Sequence, residues 1–254
     1  MKLKRVLLKL SGEVLHGPEP RGVHRPAVAG FAGEILAVHR QGIQLAVLVG
    51  GGNLFRGGSL AGQGYARVTG DLMGLLATVI NGLALQDVLE ELGVEARLLS
   101  SVRMDEVAEF YLRRRAIRHL EAGRIVILAG GMGRPYFSTD TAAVQRALEI
   151  GADAVLKGTR VDGVYDRDPE QDAAAKLFAA VSYDQALREN LRIVDPAAFA
   201  LCRDHGLPLV VFNVLKPGNL EAVALGEPVG TLVNASGRRD SPAAGPGKDD
   251  NRGG

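Results

Sequence analysis

Along the chain, short apolar runs alternate with longer stretches whose apolar residues recur at helical spacing. Arg5–Leu10 (RVLLKL) reads as a strand. Pro26–Gln41 carries Phe31, Ile35 and Val38 at helical intervals, and Gly42 stops it. Gln44–Val49 reads as the next strand. Asp71–Leu92 reads as a long helix with Leu72, Leu75, Leu76, Val79 and Leu83 on one side. Further strands are expected at Ala96–Leu99, Ile125–Ala129, Ala154–Leu156, Leu209–Phe212 and Thr231–Val233, with helices over Arg113–Glu121 and Thr141–Ile150. Strands separated by helices predict βαβ units: an α/β fold with a mostly parallel sheet and helices on both faces. Val161–Val164 reads as a turn between two short extended pieces, where a small antiparallel element fits.

Composition narrows the class. The 254 residues are 46% hydrophobic and 23% charged, enough for a core in one large domain or two small ones. A net charge of +1 lacks the basic excess of a nucleic-acid backbone binder, and the Arg113–Arg115 run reads as a solvated helix face. The charge-free stretch Leu72–Gln86 is too short and too mixed for a bilayer span of about 20 residues, and Lys9 and Glu13 interrupt any leader-like apolar run. A single cysteine, Cys202, excludes an internal disulfide framework and a cysteine-rich zinc site. A soluble cytoplasmic protein is expected, with no membrane or nucleic-acid partner and no protein-held metal. The segment after Ser236 is Gly, Pro and mixed charge, so 237–254 is expected to be a disordered tail behind a single domain of 1–236.

Four glycine-bearing turns follow expected strands, at the carboxyl ends where open α/β sheets bind ligands. Glycine there lets backbone N–H groups approach an anion. In Lys9-Leu10-Ser11-Gly12, a lysine at a strand end is either aimed at a phosphate or a snorkelling surface residue. Gly50-Gly51-Gly52-Asn53, with Arg56 three residues on, reads as a phosphate cradle fed directly by a strand or as a merely flexible loop with a solvated arginine; the strand feeding it favours the cradle. The run Gly130–Asp140 ends in Ser138 and Thr139, either of which suits a helix N-cap that also faces an anion. Lys157–Pro169 contains the turn Asp162-Gly163 and, beyond it, Tyr165 and Asp168, which suit a base and a ribose or simply solvent. No G-x-x-x-x-G-K-[ST] occurs, and Phe55 stands where G-x-G-x-x-G needs its last glycine. Nor are there H-E-x-x-H or G-x-S-x-G patterns.

Together KLSGE (Lys9–Glu13), GGGNLFRG (Gly50–Gly57), GDLMGLLATVINGLA (Gly70–Ala84), FSTD (Phe137–Asp140), ADAVLKGTRVDGVYDRDP (Ala152–Pro169) and LVVFNVLKPGNL (Leu209–Leu220) resemble the bacterial uridylate kinases, or UMP kinases, of the amino-acid kinase family. The resemblance covers about residues 5–234. It implies a three-layer α/β/α sandwich with a largely parallel central sheet, its acceptor half about 1–150 and its ATP half about 151–236. It implies ATP-dependent phosphorylation of UMP to UDP, with Mg²⁺ travelling with ATP. The implied catalytic residues are Lys9, Arg56 and Asp140. ATP contacts are implied at Lys9, Leu10, Ser11, Gly12, Gly52, Arg56, Thr159, Tyr165 and Asp168. UMP contacts are implied at Gly51, Asp71, Met132, Gly133, Arg134, Pro135, Tyr136, Phe137, Ser138 and Thr139. A homohexamer, with GTP and UTP as effectors, is implied as well. Two segments depart from the family pattern: Gly133-Arg134-Pro135-Tyr136 where Gly-Asn-Pro-Phe is usual, and His16–His24 in place of a Gly-rich segment. Relatives that phosphorylate a carboxylate, a carbamate or isopentenyl phosphate, and a non-catalytic nucleotide-sensing module, are the competing readings.

Overall fold

The structure, a computed structural model, describes residues 3–55 and 64–239; Arg56 and residues 240–254 of the expected tail lie outside them. Within the described residues the chain runs β1 (Arg5–Leu10), a one-turn 3₁₀ helix (Gly12–Leu15), α1 (Arg25–Arg40), β2 (Gln44–Val49), α2 (Arg67–Glu91), β3 (Ala96–Ser100) and β4 (Glu109–Phe110). It continues through α3 (Arg113–Glu121), β5 (Ile125–Ala129), α4 (Thr139–Ile150), β6 (Ala154–Thr159), β7 (Ala180–Ser182) and α5 (Tyr183–Arg188). The last elements are α6 (Pro196–His205), β8 (Leu209–Asn213), α7 (Asn219–Ala224) and β9 (Thr231–Asn234).

The strands form one sheet in the order β4-β3-β5-β2-β1-β6-β8-β9-β7, and every neighbouring pair is parallel except β8 with β9. β1 is central: the chain builds outward on its β2 side first, then on its β6 side. The order therefore reverses between β1 and β6, and in open α/β sheets a ligand crevice opens at such a switch point.

Each central strand is buried on both faces and alternates between two cores. β1 sends Val6, Leu8 and Leu10 to the side of α1, α2 and α7, and Leu7 to the side of α3, α4, α5 and α6. β6 sends Ala154 and Leu156 to the first side and Val155 to the second. Continuing that period-two pattern puts Lys9 and Lys157 on the α4 side of the sheet. The register aligns them directly, Lys9 opposite Lys157.

Caps fix where the helices around the crevice begin. The Ser138 side chain accepts from the Asp140 and Thr141 N–H groups, so α4 starts at Thr139, and Gly151 ends it in the left-handed region at φ 67°. Asp195 caps α6 in the same way, with Pro196 in its first turn and Gly206 at its end.

Several elements differ from the sequence expectation. α2 begins at Arg67, not Asp71, and its expected single apolar side divides in two. Leu75 and Val79 are buried, whereas Leu72, Leu76 and Leu83 join Val68 and Ile80 on an outer stripe at 39–49% exposure. The helix is long and apolar enough to cross a bilayer, but half of that stretch is buried inside the molecule. The antiparallel element expected near Val161–Val164 is only a bridge between Tyr165 and Leu177. β6 runs three residues beyond Leu156, because its register with β1 and β8 continues through Gly158 and Thr159.

Candidate active site

Three parallel strand ends supply the centre of the site. β1 ends in Leu10-Ser11-Gly12, β2 in Gly50-Gly51-Gly52, and β5 in Gly130 and the loop leading to α4. The first two ends interlock through backbone: the Gly50 N–H donates to the Leu10 carbonyl at 2.9 Å. A Cβ on Gly12 would stand 2.5 Å from the Gly50 carbonyl oxygen and 2.6 Å from Asn53 Oδ1. None of Gly50, Gly51 and Gly52 has positive φ; close approach is what demands glycine at Gly50 and Gly51, where an added Cβ would stand 2.9 Å from the Gly12 nitrogen and 2.7 Å from the Gly74 carbonyl oxygen. Positive φ falls instead at Gly130, Gly131 and Gly133.

Asp140, in the first turn of α4, lies between the two aligned lysines. Lys157 Nζ donates to Asp140 Oδ2 at 2.7 Å and to the Ile193 carbonyl at 2.7 Å. Lys9 Nζ stands 2.8 Å from the other oxygen, Oδ1, in an ion pair whose alignment falls short of a hydrogen bond. All three side chains are 11–15% exposed. Burial by itself pushes the Asp140 carboxyl up, yet the charges of Lys9 and Lys157 outweigh it and hold the group below its ordinary value. Burial pulls the Lys157 ammonium below its usual value; Asp140 opposes that shift and Lys9 adds to it. The cluster carries two cations and one anion, a net positive centre at the sheet's switch point.

On one side of Lys157 a cleft of about 670 Å³ opens, lined by Thr159, Tyr165, Asp168 and the 189–193 segment among others. Thr159 Oγ1 donates to the carbonyls of Val161 and Phe212. Asp168 Oδ1 accepts the Glu170 N–H at 2.9 Å and so shapes its own turn. Leu10, expected among the nucleotide contacts, has its side chain fully buried in the core, and its carbonyl accepts the Gly50 N–H.

On the other side lies the loop Gly130–Ser138. Asp71, on the second turn of α2, accepts from Arg67 Nε at 2.8 and 2.9 Å and from the Tyr136 N–H at 2.8 Å. Tyr136 is held at φ 72°, with the Arg67 guanidinium 5.4 Å from its ring centroid. Arg134, Tyr136 and Phe137 are exposed, while Met132 packs against the core. Ser138 Oγ also donates to Asp195, whose other contacts are Thr141 Oγ1 at 2.9 and 3.0 Å and the Ala197 and Ala198 N–H groups. Asp195 thereby ties the start of α4 to the start of α6.

The structure thus brings Lys9 and Asp140 together, sets Ser11 and Gly12 against the glycine triplet, and gathers Thr159, Tyr165 and Asp168 in one cleft. Met132–Thr139 and Asp71 form a second group. Arg56 lies outside the described residues. Residue-by-residue reading missed four groups. Lys157 carries the same signal as Lys9, a lysine at the end of an apolar strand. Asp195 shows the Asp-Pro start of a helix. Asn53 and Asn81 are buried and bonded to each other at 2.7 and 2.9 Å, and Asn81 Nδ2 also donates to the Gly50 carbonyl; no local spacing signals that pair.

The chain as a whole matches known proteins. Residues 4–213 match the family model described as the amino acid kinase family, and the chain belongs to that family. Within it, the solved structure of a UMP kinase from Bacillus anthracis is 41% identical, with a TM-score of 0.89 over 92% of this chain and 97% of that one. A UMP kinase from Ureaplasma parvum is 31% identical, with a TM-score of 0.87 over 92% and 100%. A uridylate kinase from Archaeoglobus fulgidus is 26% identical, with a TM-score of 0.70 over 90% and 99%.

Proposed function

We propose that this protein transfers the γ-phosphoryl group of ATP to UMP, giving ADP and UDP, and so serves pyrimidine nucleotide synthesis in the cytoplasm. The observation that carries this reading is the Asp140-bridged pair Lys9 and Lys157, set between a nucleotide-sized cleft and the loop that opens α4. The 41% identity to a UMP kinase over nearly the whole chain supports UMP as acceptor.

Two nucleotides that meet phosphate to phosphate repel each other, by about 4 kcal/mol for unit charges 4 Å apart near a protein surface. Phosphoryl transfer asks the protein mainly to offset that repulsion and to hold the reactants in line. ATP, as its magnesium complex, lies along Lys9, the Leu10 backbone, Ser11, Gly12, Gly52, Arg56, Thr159, Tyr165 and Asp168. UMP lies along Gly51, Asp71 and Met132–Thr139, with Asp71 accepting from ribose hydroxyls. Lys9 neutralises charge on the transferred group, and Lys157, aligned beside it, supplies a second cation from the cleft side. Asp140 aims both ammonium groups. It does not serve as a base: its carboxyl is held acidic, and the attacking UMP phosphate oxygen is already ionised.

The exposed stripe Val68, Leu72, Leu76, Ile80 and Leu83 suits contact with a second copy of the chain; assembly as a homohexamer, with GTP and UTP as effectors, is part of the same proposal. The deciding experiment is ADP release on purified protein offered UMP, CMP or acetylglutamate, repeated with GTP and with UTP. UMP-dependent turnover is expected. Turnover only with acetylglutamate, or nucleotide binding without turnover, overturns the reading.

A further inference from the structure

One turn on the inner face of α2 holds two of the three strand ends that make up the site. Asn81 Nδ2 donates to the Gly50 carbonyl at 2.7 Å, on the β2 end. One turn earlier, Thr78 Oγ1 accepts the Gly130 N–H at 2.7 Å, on the β5 end. Thr78 is 2% exposed and Asn81 is fully buried. The backbone packs to match: a Cβ on Gly51 would stand 2.7 Å from the Gly74 carbonyl oxygen of α2.

The orientation of the Thr78 hydroxyl is determined. Its hydrogen is used toward the Leu75 carbonyl, 2.6 Å away and three residues earlier in the helix. A lone pair is thereby left facing Gly130. Gly130 has φ 72°, and its carbonyl in turn accepts the Gly133 N–H at 2.7 Å. The geometry of the loop from Gly130 to Ser138 therefore starts from the amide that Thr78 holds.

We infer that Thr78 is a positioning residue for the acceptor nucleotide: its hydroxyl sets the loop that receives UMP at a fixed offset from the glycine triplet. The inference rests on the assignment of Met132–Thr139 to UMP. Thr78 touches no substrate. Without its oxygen, the buried Gly130 N–H must turn to find another acceptor. That turn moves the acceptor loop and leaves the β1, β2 and β6 ends, along which ATP is proposed to lie, in place, since Asn81 and not Thr78 holds the β2 end.

Steady-state kinetics and calorimetric binding of UMP and of ATP on the full chain test this with three variants. Thr78→Val keeps the shape and removes the oxygen; Thr78→Ser keeps the oxygen. Gly133→Ala disturbs the loop directly, since its Cβ would stand 2.7 Å from the Ser101 carbonyl oxygen. Thr78→Val is expected to raise KM and Kd for UMP about tenfold, or about 1.4 kcal/mol, while those for ATP change less than about twofold. Thr78→Ser is expected to recover most of the loss, and Gly133→Ala to weaken UMP as well. If Gly133→Ala weakens UMP and Thr78→Val does not, the role of Thr78 falls and the loop assignment stands. Equal weakening of UMP and ATP by Thr78→Val, or a Ser variant as impaired as the Val variant, overturns it too. If Gly133→Ala leaves UMP untouched, the loop assignment falls and takes the inference with it.

Discussion

Lys9 and Lys157 stand opposite each other on adjacent parallel strands, and their ammonium groups face different oxygens of one carboxylate, that of Asp140. Two like charges in register on a buried sheet repel, so the anion between them is what makes the pair tolerable. In the proposed reaction, the phosphates of ATP are a second anion for the same two cations.

Lys9→Ala is expected to lower kcat by two or more orders of magnitude with a smaller change in either KM, since preorganised charge donors act chiefly in the transition state. A loss below about tenfold, measured by coupled ADP release, removes Lys9 from the chemistry.

Asp140→Asn leaves two nearly buried cations without their counter-ion. Breaking a buried pair in this way typically costs about 3–5 kcal/mol, so urea unfolding should show a loss of that order along with lost activity. The pH dependence has a definite sign. The folded-state pKa of Asp140 is depressed, so its contribution to stability is full above the unfolded carboxyl value of about 3.9 and is lost as pH falls through the lower folded value. Acid unfolding of the wild type, compared with the Asn variant, reads this directly.

Lys157 titrates in the opposite sense. Its pKa is lowered, so it loses its charge below the ordinary lysine value of about 10.4 as pH rises. The alkaline limb of kcat should therefore fall below that value, and Lys157→Arg, which stays charged, should shift the limb upward or abolish it. An unchanged limb would assign the titration to another group.

Asp71→Asn should raise the KM for UMP with a smaller effect on ATP. In the structure Asp71 already accepts the Tyr136 N–H and the Arg67 guanidinium, so it anchors the loop proposed to receive UMP besides being the proposed partner of the ribose hydroxyls. Equal effects on both substrates would contradict the assignment.

Arg146 is 8% exposed; it donates to Glu149 at 2.6 Å and to Ser101 Oγ at 3.0 Å and lies over the Tyr111 ring. Ser101 Oγ in turn donates to the Gly131 carbonyl at 2.8 Å. Arg146→Met should destabilise the fold by about 3 kcal/mol or more, measured by urea unfolding, because Glu149 is left without its cation. Ser101→Ala should cost about 1 kcal/mol, the scale of a single hydrogen bond.

The strand and helix periods carried most of the architecture. β1, β2 and β5 lie where the apolar runs place them, since a strand buried on both faces is a continuous hydrophobic word. What could not be read was where β6 stops. Ending the β6 reading at Leu156 put Lys157 into a turn, although the chain stays extended to Thr159 because β1 and β8 pair with it on both sides. That pairing is non-local and leaves no mark on the segment itself. The Asn53–Asn81 pair is hidden for the same reason, its partners being 28 residues apart. α6 is a different case: the Asp195-Pro196 start and the Gly206 stop stand in the sequence, but only Ala198, Phe199 and Cys202 are buried between them, too short an apolar pattern to mark a helix by itself. For α2, sequence periodicity placed Leu72 and Leu75 together, but only packing decides which of two apolar faces meets the sheet.

Where β1 and β2 leave the sheet, Gly12 and Gly50 touch peptide to peptide, with no side chain between them. Such a seam has no rotamers to sort, and the bond from the Gly50 N–H to the Leu10 carbonyl pins it backbone to backbone. A single added methyl group at either glycine would act as a wedge, prising apart the exits of two strands and carrying Lys9, three residues upstream of Gly12, off its mark.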